Sequence, residues 1–226
     1  MDIHSSDILV AGGGIGGLAA ALALSLRGAD VQLIEQAAVF SEVGAGIQIG
    51  PNVTRILRDW GLEAGLRRLA SFPHELVARD ARSGRELGSL PLGARAERLY
   101  GAPYACIHRA DLHQLLLAAV QAHGVPLRLD QRLAEVQVQG DKLTVRTEQG
   151  LALQPAMLVG ADGLWSRSRQ ALGLREPPRF TGHLAYRGLI PLQAPSAQPQ
   201  VTVWMGPRLH IVHYPVQAGR EIGRAH

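Results

Sequence analysis

The chain has 226 residues, of which 46% are hydrophobic and 19% charged, a composition typical of a globular protein and not of a disordered or fibrous one. The formal net charge is +4, but the basic residues are scattered among acids and form no stripe, which argues against nucleic-acid binding. The single cysteine, Cys106, excludes a disulfide framework and indicates a reducing, cytoplasmic compartment.

An uncharged run at residues 8–26 is long enough to suggest a membrane helix or a signal sequence. However, Asp2 and Asp7 precede it where a signal sequence has basic residues. Five glycines lie in its first half, and a strand-like DVQLIE segment follows. These features predict a soluble protein in which the run forms a strand, a turn and a helix.

The glycines of this run form the pattern G-x-G-x-x-G at Gly12, Gly14 and Gly17, between a predicted strand at 7–11 and a predicted helix at 18–27. In such a turn the first glycine permits the sharp bend, and the second lets a pyrophosphate approach the backbone. The third lets the helix pack on the strand, so that the helix N-terminus can hold the anion.

Glu35 ends the next predicted strand, 18 positions after Gly17, which is close to the spacing of the acid that binds ribose hydroxyls. An acid at this position disfavours a ribose phosphate. The alternative is a glycine-rich helix entry with a surface glutamate. The complete βαβ pattern predicts a site for the ADP half of FAD or NAD.

Strand-like and helical segments alternate farther along the chain. The turn-like RSGR joins two strand-like arms within 75–92, and a helix is predicted at 110–122. The segment 125–150 has the alternation of a β-meander with two Gln-Gly turns. From residue 177 onward, predicted strands alternate with proline-rich loops.

A second strand-and-turn pattern follows in MLVGADGLWSRSR, for which a simple NAD dehydrogenase has no obvious use. This stretch resembles the Asp-Gly motif of the group A FAD-dependent aromatic hydroxylases, with Asp162, Gly163, Ser166 and Arg169 on its defining positions. The resemblance covers almost the whole chain and is to salicylate hydroxylase and 3-hydroxybenzoate 6-hydroxylase relatives. It also runs through SEVGAGIQIGPNVTRILRDWGL, IHRADLHQLLL, AYRGLIP and LHIVHYPV.

The resemblance implies an α/β fold, in which a Rossmann-like FAD-binding domain of the glutathione-reductase type is interrupted by a β-sheet substrate domain. We expect the FAD-binding domain at 1–72 and 101–176. The substrate domain would comprise a hairpin at 73–100 and an incomplete sheet at 177–220. That sheet would cover the substrate.

The resemblance also implies which residues bind the cofactor. Gly46 would leave room for the flavin ring against the backbone, and Gln48 would border the ring. Arg109 would reach the polar chain of the cofactor, although a free surface arginine is the alternative. Asp162 and Gly163 would bind its ribityl or pyrophosphate groups.

The segment LHIVHYPV is predicted as a strand, so that His210 and Tyr214 share one face and His213 lies on the other. The two histidines therefore cannot bind one metal ion together, and we expect no metal. The resemblance puts His210 in the substrate pocket as acid/base, with Tyr214 orienting the ring or carboxylate of the substrate. A packed sheet histidine at 210 is the alternative.

The implied activity is hydroxylation of a small phenolic aromatic acid through a flavin hydroperoxide, with FAD as cofactor, O2 as co-substrate and NADH or NADPH as reductant. A base is useful because a phenol becomes a better nucleophile as its proton leaves. Gln48, in place of a histidine, favours salicylate or 3-hydroxybenzoate over hydroxynicotinate. We expect no nucleic-acid or membrane partner and leave open whether the protein is a homodimer.

The end of the chain departs from the family, which continues into a Gly-Asp motif and further helices. The last five residues can be encoded by ATC GGA AGA GCA CAC, which runs through the start of a common sequencing adapter, AGATCGGAAGAGCACAC. We therefore hypothesise that 221–226 is a non-native tail and that the gene is truncated near Arg220. Two other functions stay open: an inactive truncated dinucleotide-binding fragment, and an FAD-linked reductase or dehydrogenase of the same fold that does not oxygenate.

Overall fold

The structure, a computed structural model, describes residues 7–41, 44–174, 176–193 and 199–225. Its contacts divide the chain into unit 1, Met1–Ser41 with Leu116–Thr181, and unit 2, Glu42–Leu115 with Gly182–His226. In chain order the elements are β1 (Ile8–Ala11), α1 (Ile15–Ser25), β2 (Val31–Ile34), β3 (Gly46–Ile49), α2 (Pro51–Asp59), α3 (Glu63–Leu69), β4 (Glu75–Asp80), β5 (Glu86–Pro91), α4 (Gly93–Tyr100), β6 (Ala105–His108), α5 (Arg109–Ala122), β7 (Leu127–Arg128), β8 (Leu133–Gln139), β9 (Lys142–Thr147), β10 (Ala152–Leu153), β11 (Met157–Gly160), α6 (Arg167–Ala171), β12 (Arg187–Pro191), β13 (Gln200–Gly206), β14 (Leu209–Val216) and β15 (Glu221–Ala225).

Unit 1 is built on a parallel sheet with the strand order β11-β1-β2-β7. The central strands are short and apolar, as expected for parallel strands that are covered on both faces. Ala11 is level with Gly160 on one side and with Ile34 on the other. The carboxyl ends of β11, β1 and β2 therefore meet at one edge, which is where open α/β sheets bind their ligands.

The second sheet of unit 1 is antiparallel, with the order β10-β9-β8. The predicted β-meander over 125–150 is correct for β8 and β9 and wrong for β7, which pairs in parallel with β2, while β10 lies beyond the predicted segment. A two-residue strand is too short for its pattern of apolar and polar residues to indicate which strand it pairs with. In the structure, β7 pairs with β2. The core of this unit contains Leu9, Ala11, Ile34, Leu133, Val145 and Leu153.

Unit 2 contains a six-stranded sheet with the order β12-β15-β14-β13-β4-β5, in which only β13 and β4 are parallel. The predicted hairpin forms from β4 and β5, because the Asp80 carboxylate accepts hydrogen bonds from the backbone N–H groups of Arg82 and Ser83. The helix α4, which follows this hairpin, was not predicted. A separate two-stranded sheet pairs β3 with β6.

The domain boundaries predicted from the resemblance stay predictions, and the contact division falls elsewhere, at 41/42, 115/116 and 181/182. The segment Glu221–Ala225, assigned above to a non-native tail, forms β15 between β12 and β14, while His226 lies outside the described residues. Strand pairing does not test the origin of these residues, so the adapter hypothesis stays a prediction. No helix in the described ranges is long and apolar enough to cross a membrane.

Candidate cofactor and substrate site

The glycine loop lies between β1 and α1 at the carboxyl edge of the parallel sheet. Gly12 has a φ of +110°, and a Cβ on it would collide with the carbonyl group of Ala161. A Cβ on Gly17 would collide with the carbonyl oxygen of Gly12, so the helix packs directly on the turn. Gly14 is the N-cap of α1, and a Cβ there would meet open space. The backbone N–H groups at the N-terminus of α1 are therefore accessible to a ligand that approaches at Gly14.

Glu35 follows β2 at the same edge. Its Oε2 accepts a hydrogen bond from the N–H of Gly13 at 2.5 Å, and its Oε1 accepts one from the N–H of Ala37 at 2.8 Å. The carboxylate thus holds the glycine loop, which the sequence did not indicate. Each carboxylate oxygen can accept a further hydrogen bond, and the ribose contact stays a prediction.

Asp162 and Gly163 form the turn after β11, also at this edge. Asp162 accepts from the hydroxyl of Ser166 at 2.6 Å and from the N–H groups of Arg167 at 2.6 Å and Ser168 at 3.0 Å. Burial alone would raise the pKa of Asp162, but these hydrogen bonds together hold it below its usual value of 3.8. Gly163 has a φ of +76°, which suits the turn. The side chain of Asp162 therefore fixes the start of α6.

In unit 2, the β3 strand is held from one face by Tyr214. The buried Tyr214 hydroxyl donates to the carbonyl oxygen of Gly46 at 2.5 Å. A Cβ on Gly46 would lie 2.6 Å from the Tyr214 ring and 2.5 Å from a methyl group of Val216. Glycine is thus required at position 46 by packing within the protein. The contact of Gly46 with the flavin stays a prediction.

Gln48, two residues farther along β3, is held by a second tyrosine. Its Oε1 accepts a hydrogen bond from the hydroxyl of Tyr104 at 2.5 Å. Tyr104 was not predicted as a site residue. The strand register pairs Gln48 with Cys106, and Tyr104, two residues before Cys106, lies on the same face. The contact could therefore have been predicted if the pairing of β3 with β6 had been known.

Arg109 begins α5 and lies beside the strand that precedes it. Its N–H donates to the carbonyl oxygen of Ala45 at 3.2 Å. A Cβ on Gly44 would lie 3.1 Å from Cδ of Arg109, so the missing side chain at Gly44 makes room for the arginine. The predicted contact of Arg109 with the cofactor stays a prediction.

The alternation predicted for β14 is confirmed. Tyr214 packs in the core with Cys106 and Val201, and His210 belongs to the same face of the strand, with an exposed side chain. His213 lies on the opposite face, where its ring stacks on Trp204 with 6.3 Å between centroids. No group of three metal-ligating side chains occurs within the described part of the chain.

The chain that contains these candidate site residues is similar to known proteins. A family model described as FAD binding domain matches residues 5–211. The chain belongs to the FAD binding domain family. The resemblance to 3-hydroxybenzoate 6-hydroxylases is confirmed, since the enzyme of that name from Polaromonas naphthalenivorans is 38% identical over 218 residues, 95% of this chain and 54% of that protein. The 3-amino-4-hydroxybenzoate 2-monooxygenase of Streptomyces cremeus is 37% identical over 95% of this chain and 55% of that protein.

The fold is shared with proteins whose crystal structures contain bound FAD. The crystal structure of Klebsiella pneumoniae HpxO complexed with FAD and uric acid matches with a TM-score of 0.83 and 26% identity, over 96% of this chain and 55% of that one. The predicted Rossmann-like, FAD-binding fold is therefore confirmed. The chain spans about half the length of the curated relatives it matches.

The residues of unit 1 fit the ADP half of FAD. The N-terminus of α1 is open at Gly14, and its first turn contains no acidic side chain that would repel a pyrophosphate. Glu35 follows the neighbouring strand, at the position where dinucleotide-binding folds have an acid for the ribose hydroxyls.

Proposed function

We propose that the protein is an FAD-dependent monooxygenase that hydroxylates a small phenolic aromatic acid with O2 and NADH or NADPH. The observation that carries this proposal is the similarity, over 95% of the chain, to two relatives whose names contain a hydroxybenzoate. One oxygen atom of O2 enters the ring and the other leaves as water, and NAD(P)H supplies the two electrons. The Gln48 side chain favours a salicylate or 3-hydroxybenzoate type of substrate.

Different residues would hold the different parts of the cofactor. The glycine loop, with Gly12, Gly14 and Gly17, would bind the pyrophosphate at the N-terminus of α1, and Glu35 would bind the ribose hydroxyls. Bound FAD would supply the redox chemistry that transfers an oxygen atom to the ring. The flavin ring would lie against the backbone at Gly46 and be bordered by Gln48. Arg109 would reach the polar chain of the cofactor, and Asp162 and Gly163 would bind its ribityl or pyrophosphate groups.

His210 would take the phenolic proton of the substrate on a ring nitrogen. Its side chain is exposed, so a ligand can reach it. Removing this proton increases the electron density of the ring at the carbon that receives the oxygen atom, and a general base of this kind contributes about 100-fold to 10,000-fold to a rate. Tyr214 would orient the ring or carboxylate of the substrate, and its hydrogen bond to the carbonyl oxygen of Gly46 fixes the position of its own ring against β3.

The proposal is tested by purifying the protein, recording its visible spectrum with added FAD, and following NADH or NADPH oxidation with 3-hydroxybenzoate. We expect a flavin spectrum, oxidation stimulated by the aromatic acid, and a dihydroxybenzoate that carries ¹⁸O when ¹⁸O2 is supplied. NADH oxidation without ¹⁸O in the ring would contradict the proposal and indicate a reductase of the same fold. Absence of flavin binding would indicate an inactive nucleotide-binding fragment.

A further inference from the structure

Tyr104 and Gln48 form a side-chain pair on the β3–β6 sheet. Gln48 is opposite Cys106 in the strand register, and Tyr104 lies two residues before Cys106 on the same face. The Tyr104 ring packs beside the core cluster that contains Cys106 and Tyr214, and its hydroxyl reaches Oε1 of Gln48 at 2.5 Å. The pair therefore lies within unit 2 and links a partly buried side chain that packs on the core to a predicted site side chain.

The direction of this hydrogen bond decides what Gln48 can offer to a ligand. Burial, together with the neighbouring Cys106 and Tyr214, raises the pKa of Tyr104 to about 12, so its hydroxyl keeps its proton at neutral pH. Oε1 of Gln48 accepts a hydrogen bond from that hydroxyl, and because a side-chain amide is planar, Nε2 points away from Tyr104. Within the described part of the chain, this Nε2 has no hydrogen-bond partner, and the Gln48 side chain is partly exposed.

We propose that Tyr104 is a positioning residue that orients the Gln48 amide so that its N–H groups face the bound ligand, which must present a hydrogen-bond acceptor oxygen there. This inference rests on the proposed function, in which Gln48 borders the cofactor and substrate. The acceptor is a carbonyl oxygen of the flavin ring or a carboxylate or phenolate oxygen of the aromatic acid. Both are acceptor oxygens, and binding measurements separate them.

The decisive substitution is Gln48→Glu, which keeps an oxygen that can accept from Tyr104 and replaces the two N–H donors by a second oxygen. We expect binding of the ligand that faces Gln48 to weaken at least about tenfold, because two acceptor oxygens repel each other. Gln48→Leu, which removes both groups, should weaken it less. If the amide had the reverse orientation, Gln48→Glu would bind as tightly as the wild type, and that result would overturn the proposal.

Two titrations identify the source of the acceptor oxygen. Quenching of FAD fluorescence measures cofactor affinity, and the change in the flavin spectrum on adding 3-hydroxybenzoate measures substrate affinity. A loss in the first assigns the acceptor to the flavin, and a loss only in the second assigns it to the aromatic acid. Gln139→Glu, the same change at an exposed position at the end of β8, is the matched control and should leave both affinities unchanged.

Tyr104→Phe tests the positioning role separately. It should weaken the same ligand about threefold and reduce the further effect of Gln48→Glu, because the amide is no longer held in one orientation. A purely structural role would lower the melting temperature and leave the affinity unchanged, which would contradict the proposal.

A measurement without any ligand distinguishes failure of this inference from failure of the proposed function. In protein labelled with ¹⁵N-glutamine, the Gln48 side-chain resonance is identified by its loss in Gln48→Leu. We expect Tyr104→Phe to shift this resonance, and an unshifted resonance would overturn the inference even if FAD binds. Failure of the wild type to bind FAD would instead contradict the proposed function, while this spectrum would still decide whether Tyr104 holds Gln48.

Discussion

The two units hold their candidate site residues by different means. In unit 1 the backbone defines the site: Gly12 and Gly17 allow close packing, and the Glu35 carboxylate binds a loop N–H. In unit 2 the strand β3 is held through the side chains of two tyrosines, Tyr104 and Tyr214. We therefore expect substitutions in the glycine loop of unit 1 to change stability and flavin affinity, and substitutions at His210 and Tyr214 of unit 2 to change the chemistry or the stability while flavin stays bound.

The largest effect is expected from His210→Ala. Without the base, coupled hydroxylation of 3-hydroxybenzoate should fall about 100-fold to 10,000-fold, because the phenol keeps its proton when the oxygen atom is transferred. FAD content and thermal stability should not change, since the side chain is exposed. The measurement is dihydroxybenzoate formed per NADH oxidised, together with the visible spectrum.

His213→Ala is the matched control for this variant. It lies three residues farther along β14 on the opposite face, stacked on Trp204, so it should lower stability slightly and leave the yield of product per NADH unchanged. If both histidine variants lost the same activity, the effect would be due to the strand and His210 would not be the base.

The next effect is expected in unit 1, from Gly17→Ala. The added Cβ would overlap the carbonyl oxygen of Gly12, so α1 must move away from the turn. We expect a loss of about 3 kcal/mol in the free energy of unfolding and a loss of FAD binding. Urea denaturation and FAD fluorescence titration measure the two losses.

Gly16→Ala is its control. Gly16 is also in α1, but a Cβ there meets nothing within 4 Å. Alanine favours a helix over glycine, so the protein should become more stable by about 0.5–1 kcal/mol. Equal destabilisation by both substitutions would show that the overlap with Gly12 does not matter.

The same contrast explains how much could be predicted from the sequence. The G-x-G-x-x-G turn was predictable because each glycine meets a local requirement of one strand and one helix that follow each other in the chain. The hydrogen bond from Tyr214 to Gly46 joins residues 168 positions apart, and no local pattern encodes it. The partner of β7 could not be predicted for the same reason, because β7 pairs with β2, which is far away in the sequence.

The role of Asp162 could be predicted from the sequence only in part. Its position in the Asp-Gly motif was evident, and the motif was connected with cofactor groups through the resemblance. In the structure its carboxylate is engaged with Ser166 and with two backbone N–H groups at the start of α6. A motif can therefore be located correctly in a sequence while the contacts of its side chain are visible only in three dimensions.

A smaller effect is expected from Asp162→Asn. The amide cannot accept all the hydrogen bonds that the carboxylate accepts, so the free energy of unfolding should fall by about 1–3 kcal/mol at neutral pH. The pKa of Asp162 is lower in the folded state than its usual value of 3.8, so its stabilising contribution is complete above that usual value and is lost as the pH falls through the lower pKa of the folded state.

Urea denaturation of the wild type and Asp162→Asn between pH 3 and pH 7 measures this dependence. The two stabilities should converge as the pH falls below about 4. A difference that stays constant over the whole range would mean that the charge of the carboxylate does not contribute. Flavin affinity should fall together with stability, as expected for a residue of unit 1.

The smallest effect is expected from Tyr214→Phe, which removes only the hydroxyl that donates to Gly46. The ring stays in the core, so we expect a loss of about 1 kcal/mol in the free energy of unfolding, measured with urea, while FAD stays bound.

Burial raises the pKa of Tyr214 above its usual 10.0, so the wild type should lose this stability advantage over Tyr214→Phe as the pH rises above 10. Tyr100→Phe, at an exposed tyrosine of the same unit, should change nothing. If Tyr214→Phe released FAD, the hydrogen bond from Tyr214 to Gly46 would also control cofactor binding, and the contrast between Tyr214 and the glycine loop would fail.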